Sequence, residues 1–148
     1  MREITTECQV AASPQRVWEV LTDFAAYGSW NPFVKSIEGV PKAGEKLVAR
    51  IHPPGRRKMT FRPTVRVADA GRELRWLGRL LVPGLFDGEH YFQLEAAPGG
   101  GTRFVHGECF RGLLVPLAWS SMEPATRAGF EAPHLQARTL MSAPPDHS

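Results

Sequence analysis

Between residues 34 and 111 apolar and polar side chains alternate with period two, interrupted only by clusters of turn-forming residues, and no other feature narrows the fold so far. The interruptions fall at Pro41-Lys42-Ala43-Gly44, Pro53-Pro54-Gly55, Asp69-Ala70-Gly71, Pro83-Gly84 and Pro98-Gly99-Gly100-Gly101. In such clusters proline presets φ and glycine supplies positive φ. Six strands fit between the breaks, at 34–39, 46–52, 57–68, 73–81, 88–97 and 102–111. Connections this short join antiparallel neighbours, because a parallel crossover needs a dozen or more residues. A seventh strand precedes them, since Glu3 to Ala11 alternates with Ile4, Thr6, Cys8 and Val10 on one face.

The remaining segments have helical spacing. Ser13-Pro14 offers an N-cap followed by proline at the first helical position, and Val17, Trp18, Leu21 and Phe24 recur on one stripe as far as about Asp23. A second short helix is predicted over Ala25 to Ser29. Trp30-Asn31-Pro32-Phe33 ends it, because a residue before proline is pushed out of the helical region. After Gly112 a terminal helix is expected with Leu117, Met122, Thr126 and Phe130 facing inward, bent at Pro124 and stopped or kinked at Pro133. The class is therefore α+β. At 148 residues the chain fits one domain, 1–141, followed by a flexible tail, 142–148.

Charge and composition exclude several functions. The net charge is +3, and fourteen of the eighteen basic residues are arginines spread along the chain, with one dense cluster at Arg56-Arg57-Lys58. No recognition helix, zinc-ligand spacing or stacking motif accompanies this charge, so nucleic acid is not an expected partner. Apolar runs are short, as in Leu80-Leu81-Val82, which Pro83 ends, far below the ~20 residues of a spanning helix, so no stable membrane insertion is expected. The amino terminus lacks the apolar stretch of a signal peptide, which makes a cytoplasmic location the expectation. Cys8 and Cys109 fall on opposite sheet faces, and a disulfide between them is not expected.

Strand parity assigns the faces. Met59, Phe61, Val65 and Val67 share one face with Leu74, Trp76, Gly78 and Leu80, with His90, Phe92 and Leu94, and with Phe104, His106, Glu108 and Phe110. The opposite face carries Arg62, Arg66, Arg75 and Arg79, Glu89, Tyr91, Gln93 and Glu95, and Cys109. These arginines are read as a solvated outer strip. Three polar residues interrupt the apolar face: His90, His106 and Glu108. A turn centred on Gly99 sets position 90 opposite 108 and position 92 opposite 106, and cross-strand partners lie about 4.5–5.5 Å apart at Cβ. A His90–Glu108 pair pointing inward is therefore predicted. Unpaired buried charge costs on the order of several kcal/mol, so these groups either satisfy one another in the core or line a wet cavity. The same three residues could imitate a two-histidine, one-carboxylate metal set. Their origin on two adjacent strands rather than in a tight local motif argues against it, and neither metal nor cofactor is expected.

The local sequence is similar to the START-like or SRPBCC superfamily. Ala12-Ser13-Pro14-Gln15-Arg16-Val17-Trp18 with Trp30-Asn31-Pro32-Phe33 looks like the family's opening, and Phe86-Asp87-Gly88-Glu89-His90-Tyr91-Phe92 with Gly101-Thr102-Arg103-Phe104 looks like its later strands. Gly107-Glu108-Cys109-Phe110-Arg111-Gly112-Leu113-Leu114 resembles the approach to the terminal helix in the polyketide cyclase/dehydrase-like branch. The resemblance implies the helix-grip fold: a seven-stranded antiparallel sheet curled around a C-terminal helix, with two short helices after the first strand and a cavity for a small apolar molecule between sheet and helix. It departs from the family where Pro133, Pro144 and Pro145 shorten the last helix. That leaves a partner subunit in a homodimer, a mobile tail or an open mouth as alternatives for closure, with the loop Leu81 to Asp87 as the natural gate.

The family contains both lipid or hormone carriers and aromatase/cyclases, so two functions follow as expectations. The first is binding of a small hydrophobic or aromatic molecule by Trp30, Phe33, Phe61, Trp76, Phe86, Phe92, Phe104, Phe110 and Phe130, with His90, His106 and Glu108 as polar contacts. Trp30 and Pro32 could equally anchor the helical pair on the sheet. The second is a cofactor-free cyclase or dehydratase in which His90 and Glu108 exchange protons with an enolisable substrate. No nucleophile elbow, catalytic triad order or phosphate-cradling glycine loop is present.

Overall fold

Alternation in the amino-terminal segment produces strand β1 (Arg2–Val10), whose Ile4 and Val10 are buried while the residues between them alternate outward. The computed structural model describes residues 1–31, 34–52, 57–80, 84–117, 119 and 124. Helix α1 (Pro14–Thr22) starts as its sequence dictates: the Arg16 amide donates to Ser13 Oγ at 3.2 Å, and Pro14 occupies the first turn, where its missing N–H is not needed. Val17, Val20 and Leu21 form its buried stripe. A 3-10 turn (Phe24–Ala26) leads into α2 (Tyr27–Trp30), and Tyr27, 1% exposed, donates its hydroxyl proton to the Leu21 carbonyl at 2.5 Å. Burial, then the nearby Asp23 charge, pushes the Tyr27 phenol upward from its ordinary pKa, so the group stays neutral.

Strands β2 (Val34–Glu38), β3 (Val48–Ile51) and β4 (Met59–Phe61) form one antiparallel sheet in the order β2-β3-β4. A second sheet, ordered β1-β8-β7-β6-β5, adds β5 (Thr64–Asp69), β6 (Glu73–Leu80), β7 (Phe86–Ala96) and β8 (Thr102–Arg111). All their pairings are antiparallel, in keeping with an α+β helix-grip architecture. The hairpin between β7 and β8 turns through Gly99 and Gly100, both at positive φ.

Two expectations about the strands need correction. The segment that reads as one strand, 57–68, is two, because Pro63 has no N–H to give to a ladder and interrupts it, so the described residues form eight strands in two sheets where one seven-stranded sheet is expected. The Lys46↔Thr64 bridge and the Leu47 amide donating to the Pro63 carbonyl at 2.8 Å stitch the sheets together at this break. Simple alternation also assigns Val67 to the inner face. A bulge between Val65 and Val67 reverses parity, so Val65 pairs with inward Trp76, Val67 pairs with outward Arg75, and Ala68 takes the inner position opposite Leu74.

The main core joins α1, the short helices and both sheets through residues such as Leu21, Phe24, Ile37, Leu47, Leu74 and Phe104. A smaller cluster of Ile4, Phe110 and Val115, flanked by Phe86 and Trp119, lies where β8 runs into helical residues 115–117. Here too an expectation fails: Leu117 is 80% exposed, whereas Val115 and Trp119, four residues apart and thus on one helical face, pack inward. Met122, Thr126, Phe130, Pro133 and the tail 142–148 lie outside the described residues.

Candidate functional site

Cross-strand register builds the site as parallel rows of inward side chains. One row crosses all five strands as Val65, Trp76, His90, Glu108 and Ile4, each directly opposite the next. Its neighbour runs Ala68, Leu74, Phe92, His106 and Thr6. The predicted His90–Glu108 and Phe92–His106 pairings are both present, and the two histidines meet on the diagonal between the rows.

At the centre, His106 Nε2 and His90 Nε2 are 2.6 Å apart, a hydrogen-bond distance. His90 Nδ1 lies 3.7 Å from Glu108 Oε2, within ion-pair range and beyond a hydrogen bond. His90 stacks on Trp76 with ring centroids 5.2 Å apart, and His106 stacks on Phe92 at 4.6 Å. His106 is 7% exposed, whereas the His90 and Glu108 side chains are 18% and 23% exposed. The trio thus grades from buried to partly wet. It sits between two apolar groups, Trp76, Phe92 and Phe104 on one side and Phe86 and Phe110 on the other.

The carboxylate is seated by a missing side chain. A Cβ on Gly88 would lie 2.8 Å from Glu108 Oε1, so a larger residue there would make the carboxylate shift from its present place beside His90. Two imidazole nitrogens bound to a common tetrahedral ion would stand about 3.3 Å apart given bonds of roughly 2.0–2.1 Å. The 2.6 Å contact leaves no room for one between them. Among the described residues no group of three His, Cys, Asp or Glu side chains is arranged to hold a metal ion.

Of the predicted aromatic lining, Trp76, Phe92 and Phe104 adjoin the histidines, and Phe86 and Phe110 form a ring pair at 6.0 Å in the smaller cluster. Phe61 stands apart: it pairs with Ala49 in the three-stranded sheet and has no ring contact with the histidines among the described residues. Phe33, Phe130 and the side chain of Trp30 lie outside the described residues. Two contributors escape the sequence reading. Thr6, opposite His106, donates to its carbonyl at 3.4 Å, a position that parity marks as inward. Trp119 meets Phe110 edge-on at 5.8 Å and lies under the Arg2 guanidinium, and its spacing from Val115 is the available signal. Part of the proposed gate is tied down, since the Leu113 and Leu114 amides donate to the Gly84 and Leu85 carbonyls at 3.2 and 3.0 Å.

On the outer face Arg62 and Arg66 are exposed, as expected, whereas Arg75 and Arg79 are paired. Arg75 bonds Glu89 at 2.9 Å and Glu73 at 3.2 Å and lies over the Tyr91 ring, while Arg79 pairs loosely with Asp87 at 3.9 Å. Tyr91 OH and Cys109 Sγ both donate to Glu3 Oε2, at 3.1 and 3.0 Å. Burial, reinforced by the Glu3 carboxylate, pushes the Cys109 thiol up to about 11 and the Tyr91 phenol upward as well. A depression of about 170 Å³ on this face is bordered by Arg66, Arg79, Asp87, Glu89 and Arg111. Leu77 and Cys109 are its apolar lining, a smaller apolar surface than the aromatic rows of the inner face offer, and the inner face is the candidate site.

Comparison with known proteins agrees with this architecture. Residues 1–136 match the family described as polyketide cyclase / dehydrase and lipid transport. A protein from Thermus thermophilus is 18% identical, with 95% of this chain and 97% of that one aligned at a TM-score of 0.73. The Zhui aromatase/cyclase from Streptomyces sp. R1128 is 16% identical, with 95% and 91% aligned at a TM-score of 0.70. The di-domain aromatase/cyclase BexL of the BE-7585A biosynthetic pathway aligns 97% of this chain with 51% of its own at 15% identity and a TM-score of 0.74. At these identities the likeness is one of fold. No curated protein matches in sequence.

Proposed function

The chain belongs to the polyketide cyclase/dehydrase and lipid transport family, and we propose that it binds a small hydrophobic or aromatic molecule on the inner face of its five-stranded sheet. The observation that carries this reading is the placement of a partly wet polar trio between two aromatic groups, the combination of apolar walls and a few convergent polar atoms that ligand sites use. The aromatic rings provide area, and the trio fixes orientation. The test is thermal denaturation with a panel of apolar and aromatic compounds, together with displacement of a fluorescent apolar probe. Binding raises the melting temperature as ligand exceeds Kd. Failure of every compound to shift it would remove the reading.

A second reading rests on the Glu108–His90–His106 chain. A carboxylate facing Nδ1 orients an imidazole and stabilises its cation, as general acid/base work requires. In a dehydration, an imidazole takes a proton from the carbon beside a carbonyl. The electron pair forms the new double bond, and the imidazolium returns its proton to the departing hydroxyl, which leaves as water. No cofactor enters this balance. His90→Phe then abolishes turnover of an enolisable substrate while binding persists, and parallel loss of both would assign His90 to pocket shape alone.

A further inference from the structure

Strand interiors disfavour glycine, which brings no side chain to pack and gives up the most chain entropy, so each one there calls for a local reason. Gly88 makes room for Glu108 Oε1, and Gly107 makes room for the Tyr91 ring. Gly78 has neither cause. Its φ lies outside the left-handed region, and among the described residues a Cβ built on it would meet only the Gly88 carbonyl oxygen, at an ordinary 3.7 Å.

Register gives this space a location. Gly78 is directly opposite Gly88 on the inner face, one row along from Trp76 and His90 and one row before Leu80 and Phe86. The row continues to Phe110, which is 4% exposed. Among the described residues Gly78 therefore presents bare peptide at an inward position, with the Trp76–His90 stack on one side and, across the pair, Gly88 covered by the Glu108 carboxylate and the edge of Phe110. Gly78 keeps intermediate exposure, so the position is reachable.

We infer that Gly78 is a specificity-determining residue: its missing side chain makes a recess that admits a flat ring laid on the peptide plane, with a hydroxyl on that ring donating to Glu108. The inference rests on the binding reading above and names the shape selected. Flat peptide accepts a planar ring over its whole area, whereas a flexible alkyl chain reaches the aromatic walls without needing the recess.

The test measures β-naphthol and octanol binding by calorimetry to the full chain and to Gly78→Ala and Gly78→Val. Valine suits strands, so this variant is expected to fold with its melting temperature unchanged or raised. β-Naphthol affinity should fall about tenfold or more in Gly78→Val and less in Gly78→Ala, with octanol affinity retained. Equal loss of both compounds, or unchanged β-naphthol affinity, overturns the inference while leaving ligand binding intact. A lowered melting temperature in both variants also overturns it, because the space would then be filled by the chain's own side chains. Wild-type protein that binds neither compound removes the binding reading itself, a distinguishable result.

Discussion

His106 Nε2 lies 2.6 Å from His90 Nε2, and since a neutral imidazole has one donor nitrogen and one acceptor, one ring must donate and the other accept. If His90 holds its proton on Nδ1, facing Glu108, its Nε2 accepts from His106. Removing either ring takes away the Nε2 partner of the other. His90→Leu and His106→Leu are each expected to cost about 1–3 kcal/mol in urea denaturation. The double variant should lose less than the sum, because the Nε2 contact can be lost only once. Strictly additive losses would show that the contact carries no coupling.

The inward placement of His90, His106 and Glu108 is legible in the sequence because side-chain direction in a strand has period two and the Gly99 hairpin fixes register. The same rule misplaces Val67, since a bulge adds a residue that no alternation announces. Pro63 is visible, yet its effect depends on which strand faces its missing N–H, and that is a tertiary fact. Leu117 looks inward from helical spacing alone, but the path of the chain out of Gly112 presents Val115 and Trp119 instead. The space at Gly78, open among the described residues, has no sequence signature, because glycine in a strand reads as weakness until its neighbours are known.

Cys109 is held neutral by its surroundings. Burial first, and the Glu3 carboxylate at 3.0 Å second, push its thiol from 9.0 up to about 11. Between those values the folded chain keeps a proton that the unfolded chain releases. This contribution to stability is therefore complete below about pH 9 and is lost as pH rises through about 11. In a Cys8→Ala background, alkylation of Cys109 by iodoacetamide should be slow at about pH 8 relative to the urea-unfolded chain and should accelerate towards about pH 11. Equal rates for folded and unfolded protein at the lower pH would contradict the burial argument.

Gly107 and Tyr91 form a cross-strand pair in which the ring occupies the volume a Cβ would take. Gly107→Ala should cost about 1–3 kcal/mol, as overpacking in fitted sites does. Tyr91→Ala removes the ring and its hydroxyl bond to Glu3, and is costly on its own. Combining the two relieves the collision, so the pair should be less destabilised than the summed singles. Chemical denaturation of the four proteins closes the cycle, and a Gly107→Ala protein as stable as wild type would show that Tyr91 has another place to go.

The polar trio is expected to serve the ligand and not the fold. Each single replacement breaks a contact within the trio and leaves the other members in place, whereas replacing all three by apolar side chains of similar volume removes the desolvation cost of keeping a carboxylate and two imidazoles in a half-wet interior. Trp76, Phe92 and Ile4 already surround these positions with apolar surface. The variant His90→Leu/His106→Leu/Glu108→Met should therefore match wild-type stability or exceed it by up to about 4 kcal/mol, while losing affinity for a hydroxylated ring such as β-naphthol. Chemical denaturation and calorimetry on the same preparation read the two effects separately. A triple variant less stable than its weakest single would make the trio a structural device, whereas gained stability with lost binding would identify a site whose polar groups are kept at the expense of the core.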